Sequence, residues 1–206
     1  MKRTVRLARV LLSFFAVISS NASFLTGADD ARNIAGDAIA TAGSVYDGNY
    51  SAQCAIDGII PDRGGNVESH VWATNGPACG FATWFRLEWP QDVTIAEIVY
   101  YSRTIAVEEC FKDYDVYVNV DSESMKSAKP VFSGTLEKKR SPQRLTFPKP
   151  VRAKSVLIDF KSSYTSRINP GAAEIEVYST PPCRDLFRRI ACHSISIVMG
   201  RLLVQT

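Results

Sequence analysis

From residue 83 to residue 178 the chain is a succession of short β-type runs closed by turn residues, with no long amphipathic helix between them. The clearest run is 83–89 (TWFRLEW), in which Trp84, Arg86 and Glu88 alternate with Phe85, Leu87 and Trp89, the period of two that a half-buried strand requires. Further runs cover 95–101 (IAEIVYY), 114–120 (YDVYVNV), 144–147, 155–160 (SVLIDF) and 173–178 (AEIEVY). Pro90, Pro130, Pro142, Pro148 and Pro150 fall between them, where a missing N–H costs a sheet nothing. Many short strands without a βαβ rhythm predict an all-β protein built as an antiparallel β-sandwich. At 206 residues, one core is the expectation.

The first residues do not belong to that core. Lys2, Arg3, Arg6 and Arg9 precede an apolar run from Val10 to Ile18 that gives way to small residues. This is the layout of a signal peptide over 1–22, cleaved after Ala22, and the run is well short of the roughly 20 residues of a membrane span. The reading implies a secreted or periplasmic protein without a transmembrane span. Without those four bases the net charge of +3 becomes −1, which argues against a nucleic-acid partner. Thr180-Pro181-Pro182 reads as a stiff linker, and 183–206 as a basic tail in which Leu186 and Ile190 stand near helical spacing. The chain is expected to be either a free-standing binder or a truncated relative of a larger protein.

Export would place Cys54, Cys79, Cys110, Cys183 and Cys192 in an oxidising compartment, and their odd number leaves at least one unpaired in a monomer. No CxxC occurs, and His70 and His193 are the only histidines, so a zinc cluster has little support.

Three landmarks carry a resemblance to a known family. They are Ala55-Ile56-Asp57-Gly58 with Trp72 downstream, the stretch 98–118 (IVYYSRTIAVEECFKDYDVYV), and the closing run 171–178 (GAAEIEVY). With Asn33-Ile34-Ala35 near the start, the chain over 33–179 resembles the discoidin (coagulation factor 5/8 type C) family and is similar to family 32 carbohydrate-binding modules. The resemblance implies a jelly-roll-like, galactose-binding-domain-like sandwich. Its implied function is non-catalytic recognition of an extracellular or periplasmic glycan by loops at one end.

The resemblance also implies a structural Ca²⁺, an ion that prefers several oxygen ligands. By position Asp57 and Glu174 would supply carboxylates and Cys54 and Ala173 backbone oxygens, with His70 as a further carbonyl. The insertion 59–71 lacks the family's usual ligand after Asp-Gly, so Asp62 or Asn66 folds back to replace it, or the site is absent. The plain alternative is that Asp57 caps a turn and Glu174 pairs with a base.

Sugar recognition combines an aromatic face with a few polar groups that fix hydroxyls. The loops that the resemblance places at one end carry Tyr46, Tyr50, Asn75, Arg103, Glu108, Glu109, Phe111 and Tyr164. Arg103 matches the arginine of galactose-binding relatives, although Ala73 and Glu108/Glu109 replace other family residues, which puts galactose itself in doubt. The alternative for Arg103 is an ion pair with Glu109. Cys79 and Cys110, on loops assigned to the same end, are the expected disulfide, with Cys54 the expected buried thiol. A protein or lipid surface, met through Phe81 and Phe111, is the competing partner. An enzyme is disfavoured because no GxSxG, HExxH or Walker A motif occurs, and the imaginable acid pair Asp57 and Glu174 has nothing beside it.

Overall fold

The computed structural model describes residues 31–61, 68–103 and 107–179. The 1–22 leader, the 180–206 linker and tail, Asp62, Asn66, Cys183 and Cys192 lie outside the described residues. The described residues form seven strands: β1 (Ile39–Ala42), β2 (Trp72–Ala73), β3 (Thr83–Ser102), β4 (Asp113–Val118), β5 (Phe132–Thr135), β6 (Gln143–Phe160) and β7 (Gly171–Tyr178). They hydrogen-bond in the order β2-β7-β3-β6-β4-β5, with β1 added to β3, and every pairing is antiparallel.

The sandwich comes from one long ribbon folded on itself. β3 and β6 pair from Thr83↔Phe160 to Tyr100↔Gln143, with register shifts between Glu88 and Val93 and between Ile95 and Glu97. The Tyr100 ring nevertheless lies 5.7 Å from the Phe160 ring, centroid to centroid. Residues from opposite ends of the ribbon therefore face each other across the core. The sequence predicts separate strands on either side of Pro90 and of Pro148 and Pro150. In the structure these prolines lie inside β3 and β6, at the breaks in register where the ribbon crosses between layers and a ladder hydrogen bond is already lost.

Packing explains the order. Phe85, Leu87 and Trp89 are buried and their alternate neighbours are not, as the period of two predicts. Trp72, Phe85, Phe111, Phe160 and Tyr100 form a contiguous aromatic core, with Phe111 stacked on Phe160 at 4.0 Å and on Trp72 at 5.6 Å. Each such side chain contributes about 2–3 kcal/mol on burial. The Trp72 indole N–H is satisfied by the Ser44 carbonyl at 3.0 Å, which fastens the loop after β1 to the core. Gly171 must be glycine, because a Cβ there would fall on the backbone oxygen of Trp72 across the β2–β7 ladder.

Folding the ribbon gathers four connections at one end: those after β1, between β2 and β3, between β3 and β4, and between β6 and β7. They are tied to one another by Asn75 N–H to the Ser44 hydroxyl oxygen at 3.0 Å, Thr74 N–H to the Pro170 carbonyl at 2.9 Å, and Lys112 N–H to the Ser162 carbonyl at 2.9 Å. Among the described residues no helix is long and apolar enough to cross a membrane.

Candidate functional site

The loop end is built from short, capped turns. Asp47 accepts the Asn49 N–H at 2.8 Å and so caps a 3₁₀ turn, Gly48–Tyr50, that delivers Tyr50. Tyr46 precedes that cap, its N–H bound to the Ala73 carbonyl at 2.7 Å. Its ring stands edge-on to Tyr50 at 5.6 Å and is half exposed. Between β2 and β3 runs a single helical turn, α1 (Gly76–Cys79), which Asn75 caps through the Ala78 N–H at 3.3 Å. Gly80 closes α1 in the left-handed region, and Phe81 follows at φ 62, uncommon for a bulky residue. The Phe81 ring folds back onto Gly76, where a Cβ would stand 2.7 Å from it.

Arg103 leaves the end of β3 and is held on several sides. Its Nη1 donates to the Asn169 carbonyl at 3.0 Å and pairs with Glu109 Oε1 at 2.9 Å. The guanidinium carbon lies 5.5 Å from the centre of the Tyr50 ring, a cation–π distance. Its Nε is buried without a hydrogen-bond partner among the described residues. Glu109 closes the 3₁₀ turn Val107–Glu109. Burial pushes its carboxyl above the usual carboxylate range, with Glu108 adding to the rise and Arg103 opposing it. The structure thus brings Tyr46, Tyr50, Arg103 and Glu109 together, and the ion-pair alternative for Arg103 is the arrangement found.

The other expected contacts are spent on the fold. Asn75 is a helix cap. Tyr164 donates its hydroxyl to the Leu136 carbonyl at 2.6 Å, although about a third of the residue is exposed. Glu108 is exposed and pairs with Lys138 at 3.4 Å. Phe111 is no loop-tip aromatic, because it is wholly buried in the core stack. Phe81 is partly buried against Gly76.

The expected Cys79–Cys110 bridge is not formed. Cys54, Cys79 and Cys110 are free thiols, with Cys79 Sγ turned toward the Gly76 carbonyl and Cys110 fully buried beside the Ser102 hydroxyl. Cys110 is the buried thiol, whereas Cys54 is only partly covered, beside Ser51 Oγ at 3.2 Å. Sequence reasoning missed Asn169, which receives Arg103 on its carbonyl and the Gly76 N–H on Oδ1 at 3.0 Å. Its one sequence signal is the Asn169-Pro170 turn dipeptide.

The two carboxylates expected to hold a cation do come together. Glu174 accepts the Gly58 N–H on Oε1 at 3.3 Å, while Oε2 is buried with no partner among the described residues. Burial, then the charge of Asp57, pushes the Glu174 carboxyl up to about 8. Asp57 caps its own turn through the Ile59 N–H at 2.8 Å and holds His70 Nδ1 at 2.7 Å. An orphaned buried carboxylate oxygen beside a second carboxylate fits a hard cation. Among the described residues no group of three or more His, Cys, Asp or Glu side chains could hold a metal, so such a cation would depend on backbone oxygens.

A polar groove of about 360 Å³ lies elsewhere, walled by Arg86, Glu88, Asp92, Asn119, Asp121 and Lys154. Most of its polar groups serve the fold. Arg86 binds Glu88 and the Val120 carbonyl, Asp121 caps the turn at Ser124, and Asn119 accepts from Lys154 and Ser155.

A family model described as "Domain of unknown function (DUF7402)" matches residues 33–178. No curated protein sequence matches the chain. Solved structures do. The family 32 carbohydrate-binding module of Clostridium perfringens NanJ, in complex with galactose, is 21% identical with a TM-score of 0.57 over 71% of this chain and 97% of that one. A fucose binding module of Streptococcus pneumoniae is 21% identical with a TM-score of 0.54, over 74% and 98%. Chitosan-binding module 1 of a Paenibacillus sp. IK-5 chitosanase/glucanase is 21% identical with a TM-score of 0.55, over 71% and 98%. At these identities the likeness shows the fold, a galactose-binding-like jelly-roll sandwich.

Proposed function

The chain belongs to the family described as domain of unknown function (DUF7402), and from the chemistry of its loop end we propose that it is a non-catalytic carbohydrate-binding module. The observation that carries this reading is the half-exposed Tyr46 ring standing edge-on to Tyr50, with Arg103 over the Tyr50 ring. A pyranose presents an apolar C–H face that stacks on such a ring and hydroxyls that take sparse polar contacts. Tyr46 supplies the stack, and Asp47, exposed next to it on the same connection, supplies a polar contact. Three neighbours of the same fold, one in complex with galactose, one a fucose binding module and one a chitosan-binding module, support the carbohydrate reading. The order of the discoidin-like landmarks and the leader at 1–22 support membership of the wider discoidin group and export. The alternative partner, a protein or lipid surface, loses support because Phe111 lies in the core and Phe81 folds onto Gly76.

A structural Ca²⁺ is part of the proposal. Asp57 and Glu174 would hold it, with the backbone oxygens of Cys54 and Ala173. The ion would supply the positive charge that the buried Glu174 carboxylate lacks and would tie the 57–58 turn to β7.

The test is a glycan-array screen of the purified protein with Ca²⁺ and with chelator, beside Tyr46→Ala. Saturable binding weakened about tenfold or more by Tyr46→Ala, with unfolding unchanged, is the expected result, since stacking contacts on loops carry binding rather than fold. A folded protein that binds no glycan would sink the carbohydrate reading.

A further inference from the structure

We propose that Glu109 is a specificity-determining residue: by neutralising the Arg103 guanidinium from within, it excludes acidic sugars from the loop end and restricts the site to uncharged glycans. The inference rests on the carbohydrate reading above and concerns which class of sugar that site takes.

A lone arginine beside a stacking tyrosine would ordinarily select a carboxylate, because the guanidinium fork binds one through two parallel N–H donors. Arg103 is not available in that way. Nη1 is already shared between Glu109 and the Asn169 carbonyl, Tyr50 lies within cation–π range, and Nε is buried with no hydrogen-bond partner among the described residues. Only 8% of the Arg103 side chain is exposed. The counter-charge that a sugar carboxylate would provide is therefore supplied by the chain itself.

Beside the stacking ring the chain places a carboxylate. Glu108, beside Glu109, is 61% exposed, and Asp47 is exposed between the two tyrosines. Glu108 is itself paired with Lys138 at 3.4 Å, so Asp47 is the exposed carboxylate beside the tyrosines. A uronic or other acidic sugar stacking on Tyr46 would meet Asp47, next to it in the chain, without gaining Arg103, which is selection by a repulsive element. A neutral sugar needs no counter-ion. Arg167, an exposed base on the connection before β7, stays constant in the test below.

The experiment compares galactose- with galacturonate-terminated oligosaccharides, and glucose- with glucuronate-terminated ones, on the full-length protein and on Glu109→Gln. Glutamine keeps the size and the hydrogen bond to Arg103 and removes the charge. Wild type is expected to bind the better neutral sugar at least tenfold more tightly than its acidic counterpart, and Glu109→Gln to narrow that ratio about tenfold. Raising salt from about 20 to about 500 mM is expected to narrow the wild-type ratio, because screening weakens repulsion between exposed charges. If the variant does not fold, the wild-type ratio and its salt dependence still decide. Wild type binding the acidic sugar as tightly as the neutral one overturns the proposal, as does a ratio indifferent to salt or unchanged in a folded Glu109→Gln. Absence of binding to all four probes and to the array sinks the carbohydrate reading itself, and the assignment of Glu109 with it.

Discussion

Arg103 and Glu109 meet at 2.9 Å where the loops gather, with only 8% and 13% of their side chains exposed. Removing one member of a buried pair leaves the other charge without a partner, which costs more than the pair contributes. Glu109→Ala is therefore expected to lose about 3 kcal/mol of stability in urea unfolding, and Glu109→Gln clearly less. A loss below about 1 kcal/mol would put the pair among surface ion pairs and contradict its burial.

Phe111 separates a core residue from an adhesive one. It stacks on Phe160 and Trp72 and has no exposed surface. Phe111→Ala should cost about 3–5 kcal/mol, as for other large-to-small core changes. Sedimentation with anionic liposomes should be the same for wild type and variant at a temperature where both are folded.

Asp113 joins three segments near the loop end. It accepts from Thr135 on β5 at 2.8 Å and from Ser162 after β6 at 2.7 Å. These hydrogen bonds, Ser162 first, hold its carboxyl below the usual aspartate range. A lowered folded-state pKa means the contribution is present above the unfolded value and is lost as pH falls toward the folded one. Melting curves from pH 7 down to pH 2 should show Asp113→Asn less stable at neutral pH and converging on wild type in acid. Parallel curves would remove Asp113 from the acid response.

Metal removal tests the paired carboxylates. If Asp57 and Glu174 hold Ca²⁺, chelation should lower the melting temperature, because a cation bound only by the folded state stabilises it by mass action. Glu174→Gln should abolish the difference between Ca²⁺ and chelator while keeping the Gly58 hydrogen bond. A wild-type melting temperature unaffected by millimolar Ca²⁺ would leave Glu174 a buried acid without a metal.

Local pattern carried much of the fold. The alternation at 83–89 and the runs at 114–120 and 173–178 appear as strands because burial of one face is written into neighbouring residues. β1, β2 and β5 were not legible, since strands of two to four residues at or near the ends of the hydrogen-bonded order carry too little periodicity to stand out. Arg103, Glu109, Tyr46 and Tyr50 were candidates because the family resemblance implies that their loops share one end. That the arginine would be consumed by Glu109, Asn169 and Tyr50 needed the loops in place.

The sequence by itself determined an all-β antiparallel chain, because that follows from period and turn chemistry, while the gathering of particular loops at one end was implied by the family resemblance. Tertiary structure alone decided which of the loop residues remain free. It folded the β3–β6 ribbon on itself, drew Phe111 into the core, held Cys79 and Cys110 apart as thiols, closed Arg103 onto Glu109, and left Tyr46 half exposed. The physical reason is that exposure and pairing depend on contacts between segments tens of residues apart, such as Arg103 with Asn169 or Gly58 with Glu174, whose distances no local pattern encodes.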